Sequence, residues 1–316
     1  MLQYIARRLL LSIPVLWGVS LIVFIAIRLV PGDVLLAKMQ GEFSSRPEQI
    51  ARMRAELGLD VPAPLQYVHW LGGFLHGDLG TSMNTFRPVS SEIVSRVPIT
   101  AELALLSLIF GMLFAIPLGV ISAVYQDTWI DYLGRIVSML ALAVPSFVIA
   151  SALILFPALW WNYFPPLGLE QLTDDPLTNL QQVVPAALAL GAILTGQIMR
   201  MTRSGALEVL RSDHVRTARA KGLPESAVLW RHVVKGALVP VVTVAGSDFG
   251  RLLGGTVVIE SIFAFPGIGL LTLTSIQLRD YTQLQGNVLF IAAVVVLFNL
   301  LVDLLYGVLD PRIRYA

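Results

Sequence analysis

Cysteine is absent from all 316 residues, which removes disulfides, thiolate metal sites and thiol catalysis. Charge is scarce as well. Asp, Glu, Lys and Arg make up 14% of the chain, against about 25% in soluble globular proteins. Histidine occurs only as His69, His76, His214 and His232. There is no HExxH pair for zinc and no GxxxxGK[ST] loop to cradle ATP phosphates. None of the histidines lies inside an apolar run, so an intramembrane serine would have no base, and an enzyme is not expected. What the chain has instead is apolar residues: 56% are hydrophobic and the mean hydropathy is +0.75. That excess points to an all-α membrane protein with several spans. The net charge of +1 gives no reason to expect a nucleic-acid partner.

Six runs approach the roughly 20 apolar residues that cross about 30 Å of hydrocarbon. They are Leu9–Val30, Ile99–Val124, Arg135–Leu159, Val183–Met199, Ala237–Ile259 and Leu284–Tyr306. The first follows Arg7 and Arg8 like a signal peptide, but it is too long for one and is followed by Pro31-Gly32-Asp33 without a small-residue cleavage site. It reads as an uncleaved span. Arg7 and Arg8 before the first span, and Arg312 and Arg314 after the last, predict cytoplasmic ends, since retained loops carry excess Lys and Arg. The connection Ala158–Gln182 has no Lys or Arg but has Glu170, Asp174 and Asp175, so it belongs outside. Residues Pro31 to Pro98 form a long polar insertion with nearly balanced charge, and long segments translocate largely regardless of charge. Ser45-Arg46-Pro47-Glu48, with Ile50, Met53 and Leu57, predicts a capped amphipathic helix ending at Gly58. The chain thus divides into residues 1–98, the first span plus an external insertion, and residues 99–316, a five-span core.

The most distinctive stretch is the connection at residues 204–235. Between Arg200 and Lys235 lie eight of the chain's 22 basic residues, opposed only by Glu208, Asp213 and Glu225. This places the stretch in the cytoplasm. Ser212 or Asp213 is positioned to cap a short helix, Gly222 to end it, and Leu223 to fold back as the apolar contact. Gly222 is expected at positive φ, where a side chain would clash. Pro224 then opens a second helix. Two short helices around a glycine elbow make a stiff knob.

The run Asp213, His214, Val215, Arg216, Thr217, Ala218, Arg219, Ala220, Lys221, Gly222, Leu223, with ALVPVVT after it, resembles the cytoplasmic coupling loop of ABC importer permeases. The general Glu-Ala-Ala…Gly pattern falls on Arg216, Thr217, Ala218 and Gly222, so its Glu and first Ala are absent. The RTARAKG form is similar to the dipeptide and oligopeptide branch. LVPGD at 29–33, ELGLD at 56–60, HGDLGTS at 76–82, ESIFAFPGIG at 260–269, RDY at 279–281 and NLLVDLLYGVLDPRIRY at 299–315 resemble the same branch in the same order. The resemblance implies a type I permease fold in a bacterial inner membrane. It also implies alternating access, a related second permease, two ATPase subunits and an external solute-binding protein. ATP and Mg are then expected on the partners and no cofactor on this chain. Asp213, His214, Arg216, Thr217, Ala218, Arg219, Ala220, Lys221, Gly222 and Leu223 are expected to couple to the ATPase. Peptides are the expected cargo. Nickel complexes, glutathione, opines and oligosaccharides remain alternatives, as does an ion-coupled carrier, although no internal repeat favours one.

The fifth run carries Asp248 and Arg251 three residues apart. Each would cost about 2.5–3.5 kcal/mol at a helix centre on insertion scales, so they are expected to face protein or water. They read either as a structural pair or as a lining of the translocation path that meets the charged ends of a peptide. Gly246, Gly250, Gly254 and Gly255 predict close approach of another helix. Pro145, beside Ser146, reads either as a packing kink or as the bend of a pore-lining helix.

Overall fold

The computed structural model describes residues 2–29, 60–166 and 168–309. The predicted amphipathic helix between Ser45 and Gly58, most of the 29–33 motif, and Arg312 and Arg314 lie outside the described residues. Apart from one isolated bridge between Thr81 and Pro88, regular structure among the described residues is helical. The elements are α1 Leu2–Leu29, α2 Ala63–Leu75, α3 Val89–Val124, α4 Trp129–Ala143, α5 Ser146–Trp161 and α6 Pro176–Leu210. They continue with α7 Asp213–Ala220, α8 Glu225–Val228, a π-helical turn Leu229–Val234, α9 Lys235–Gly255, α10 Val257–Phe263, α11 Ile268–Gln277 and α12 Tyr281–Leu309.

Among the described residues, four helices are long and apolar enough to cross a membrane alone: α1, α3, α6 and α12. Up to seven spans result if each of three bent pairs counts as one. The expected continuous span Arg135–Leu159 is one of these pairs, since α4 and α5 meet at 98°. Pro145 explains the break. It has no N–H to continue the helix and forces its predecessor out of the helical region, and Val144 is extended at φ −82°, ψ 121°. The stretch 257–277, expected to end the fifth span at residues 257–259 and otherwise to lie between spans, is a second pair, with α10 and α11 bent by 90°.

The chain forms two units. One comprises Pro98–Leu270 and Val294–Ala316, the other Leu2–Val97 and Leu271–Ala293. In the first, α6 is the central helix. Asp175 caps it by accepting the Thr178 N–H at 3.2 Å, and Pro176 fills the first turn, where its missing N–H costs nothing. Small residues along α6, including Ala186, Ala187, Ala189 and Gly191, are buried and let α4, α5 and α9 pack closely on it. The core around them holds Leu103, Leu190, Ile198, Val241 and Ile259. On α9, a Cβ at Gly246 would fall 2.2 Å from Val302 on α12, so the expected close approach occurs there.

In the second unit, α1 packs on α2 through Phe24, Tyr67 and Trp70. Ser20 and Tyr67 share a 2.8 Å hydrogen bond. Asp280 caps α12 by accepting the Gln283 N–H at 3.1 Å. Its carboxylate also accepts Ser82 Oγ at 2.5 Å and the backbone N–H groups of Met83 and Asn84 at 3.1 Å. The motifs at 76–82 and 279–281, 198 residues apart, thus meet at one carboxylate.

Candidate functional site

The segment 204–235 folds as a knob built on its own small core. Val215 and Ala218 on α7, Val228 on α8 and Val233 in the π-helical turn are buried against Ala123, Ala206 and Ala237. The opposite face is polar. Asp213 and Arg216 are largely exposed and lie 3.6 Å apart. Arg219 forks onto Glu225 at 2.5 and 3.1 Å, joining α7 to α8 across the elbow. The Glu225 carboxylate holds the Arg219 guanidinium above its ordinary pKa. Thr217 spends its hydroxyl on the Asp213 carbonyl, and Ala220 and Lys221 are exposed.

Gly222 adopts φ +76°, and the Leu223 N–H returns to the Ala218 carbonyl at 3.3 Å. Three expectations are corrected here. The space around Gly222 is open, so a side chain would meet backbone strain rather than a clash. Leu223 turns its backbone inward but leaves its side chain 40% exposed, so the apolar seal falls to Val215 and Ala218. Ser212 occupies the cap position, yet its hydroxyl donates to the Val209 carbonyl, and neither it nor Asp213 caps α7. The second helix is also short, four residues that run through the π-helical turn into α9.

Beside the knob is an open groove of about 720 Å³ lined by His214, Arg231, His232, Lys235 and Gly236. No carboxylate pairs with Arg231 or Lys235 among the described residues. Such unneutralised charge favours an acidic occupant. Trp230 next to it is 69% exposed.

The second expected site, Asp248 with Arg251, is a loose pair on α9. Arg251 Nη1 reaches Asp248 Oδ1 at 3.4 Å, with Asp248 buried and Arg251 75% exposed. Among the described residues, Asp248 Oδ2 is buried without a hydrogen-bond partner. Pro145 is exposed and Ser146 half-buried at the α4–α5 corner. Among the described residues no hydrogen bond or ion pair joins this corner to Asp248 and Arg251.

Two buried carboxyls escaped the sequence reading as sites. Glu260 is fully buried and accepts Thr100 Oγ1 at 2.8 Å, Thr256 Oγ1 at 2.6 Å and the Leu270 N–H at 2.8 Å. Thr100 Oγ1 also takes the Ile268 N–H, so this acid holds the α10–α11 corner together. Asp131 is likewise fully buried, ligated by Arg135 and Arg203. The i, i+4 spacing of Asp131 and Arg135 was visible in the sequence, whereas the partner 72 residues away was not.

The chain that carries this knob and its apolar helices matches the sequence profiles of a known family. Residues 115–315 fit the profile of the binding-protein-dependent transport system inner membrane component, and residues 1–104 fit the profile of its N-terminal part. The chain belongs to this family. The permease is 40% identical over its full length to the dipeptide transport system permease protein DppB of Escherichia coli (strain K12), covering 99% of that protein. It is 40% identical, end to end, to a putative peptide transport system permease protein of Brucella abortus. It is 39% identical, also end to end, to the glutathione transport system permease protein GsiC of Pectobacterium atrosepticum. The permease also resembles the crystal structure of an amino acid ABC transporter with histidines, at a TM-score of 0.50 and 15% identity, over 71% of this chain and 95% of that one. It is therefore a multi-pass inner-membrane permease subunit of an ABC importer, in the dipeptide/oligopeptide branch. Membership displaces the ion-coupled carrier.

Proposed function

We propose that this permease moves di- or oligopeptides inward by alternating access, as one of two related permease subunits. Two ATPase subunits drive it and an external solute-binding protein delivers the cargo. The observation that carries this reading is the knob. It is stiffened by a buried apolar underside, an Arg219–Glu225 bridge and the Gly222 elbow, and it presents unneutralised basic charge at its surface. A partner that pushes on such a knob moves α6 and α9 with it. We assign the exposed residues between Asp213 and Leu223 to the ATPase contact, with Val215 and Ala218 turned into the knob's own core and the basic groove facing an acidic part of that partner. Peptide is favoured over glutathione because the dipeptide permease and the putative peptide permease match slightly better, at 40% identity against 39% for the glutathione permease. Asp248 and Arg251 border the path in this reading. A buried acid with a free oxygen suits a peptide's amino terminus, and an exposed guanidinium suits its carboxylate.

The elbow supplies the test. Gly222→Val forces a β-branched residue to positive φ at a cost of about 1–3 kcal/mol. The variant is expected to insert and assemble, but to hydrolyse ATP without responding to loaded binding protein. Normal peptide uptake by a well-assembled Gly222→Val complex would overturn the assignment. Orientation is checked separately in this cysteine-free chain. Ser226→Cys is expected to react with an impermeant thiol reagent only from the cytoplasmic side, and Ser44→Cys only from outside.

A further inference from the structure

The basic residues at and beside the loop are not all available to a partner. Arg203, just before the loop on α6, is only 22% exposed and bonds into a buried junction. Asp131, in the first turn of α4, is fully buried and has five donors aimed at its two oxygens. Oδ1 accepts Ser122 Oγ at 2.6 Å and Arg203 Nε at 2.7 Å. Oδ2 accepts Arg203 Nη2 at 2.8 Å, Arg135 Nη2 at 2.5 Å and the Asp127 N–H at 3.0 Å. A carboxylate has about four lone-pair positions, so this one is saturated. The forked contact from Arg203 also fixes orientation as well as distance.

The donors come from different elements. Ser122 is near the end of α3, Asp127 is in the following turn at φ +60°, and Arg135 is one helical turn further along α4. Arg203 is on α6, two turns before its end at Leu210 and ten residues before Asp213 opens α7. The helices cannot slide past one another here. A Cβ at Gly119 on α3 would lie 2.7 Å from Thr202 Cβ and 2.8 Å from the Met199 carbonyl on α6. Arg211, at the end of α6, also bonds Gln126 in the α3–α4 turn at 3.2 Å. Ala123 and Ala206, flanking the junction, belong to the knob's own core.

We propose that Asp131, through Arg203, is a positioning residue that locks the last turns of α6 to the α3–α4 corner, so that displacement of the knob is transmitted to the helices as one body. Without the lock, α6 yields locally and ATPase motion is lost before it reaches the bundle. The inference rests on the ATPase contact assigned above. Its residues touch neither cargo nor the exposed coupling face.

The test is the number of peptides taken up per ATP hydrolysed by the complete importer in proteoliposomes, normalised to assembled complex. Arg203→Met removes the forked contact while Arg135 still neutralises Asp131. It is expected to lower the ratio roughly fivefold or more, within the usual range of coupling between sites. Arg203→Lys keeps the charge without the fork and is expected to fall between Met and wild type. Ser122→Ala removes a single neutral donor, guards against misfolding of the stronger variants, and is expected to lower the ratio measurably with assembly intact. A junction that only stabilises the fold would reduce the thermal midpoint and the amount of complex, but leave peptides per ATP unchanged in every variant that assembles. That result would overturn the proposal. If Gly222→Val also left the wild-type ratio unchanged, the assignment of the knob would fall with it. If Gly222→Val uncoupled and Arg203→Met did not, only the junction's role would fall.

Discussion

Asp131 and Asp248 are both aspartates buried in the same unit on largely apolar helices, and both have an arginine within one helical turn. They are opposite in kind. Asp131 is saturated by five donors from four segments of chain, while among the described residues Asp248 has one contact at 3.4 Å and an oxygen with no partner. Burial of an ion is costly in both places, and only a full set of hydrogen bonds offsets it. A saturated carboxylate is therefore held by the fold. One left half-satisfied is either a strain the fold tolerates or a place waiting for a ligand. Glu260 stands between them, fully buried with three donors, none of them cationic.

The contrast is open to measurement, beginning with the largest effect. Asp131→Ala leaves two guanidinium groups facing a buried void. It is expected to destabilise the assembled permease by about 3–5 kcal/mol, read as a fall in thermal midpoint and in the yield of complex. An Asp131→Ala protein as stable as wild type would erase the distinction. Thr100→Val is expected to come next, at about 1–3 kcal/mol, because it removes one donor to Glu260 and strips the Ile268 N–H of its acceptor. Asp248→Asn is expected to lie near neutral or to raise the thermal midpoint, since it discharges a poorly paired buried acid. The same variant is expected to lose uptake of peptides with free amino termini more than of blocked ones. Loss of stability comparable to Asp131→Ala would class Asp248 as structural. The double replacement Asp248→Ala with Arg251→Ala sharpens this, because a pair that only neutralises itself would transport at the wild-type rate. The smallest effect belongs to Arg216→Glu on the exposed face of the knob. Surface pairs such as Arg216 with Asp213 are worth about 0–1 kcal/mol, so stability should be unchanged, and any defect should appear as weaker ATPase binding.

Local chemistry explains which parts were legible beforehand. The Gly222 elbow could be read because positive φ next to a proline-opened helix is a property of adjacent residues. The spans could be read because apolar length is additive along the chain. Pro145 was visible as a kink but not as a 98° corner, because a proline in a membrane helix either bends it slightly or breaks it, depending on what packs nearby. The 257–277 stretch was hidden for a related reason. Its corner is held by a carboxyl whose ligand, Thr100, lies 160 residues away.

The amino-acid order by itself determined that this chain lives in a membrane, that it carries a basic knob between apolar runs, and that the knob turns on a glycine. Those features depend on hydrophobicity, charge and backbone freedom within a few residues. Only the tertiary structure decided which charges are spent and which are free. Arg203 and Arg216 look equivalent in sequence, yet one is bound to a buried carboxylate from another helix and the other stays in solvent. The physical reason is that an ion's worth is set by its desolvation and by the donors around it, and in this chain those donors arrive from segments far apart in sequence.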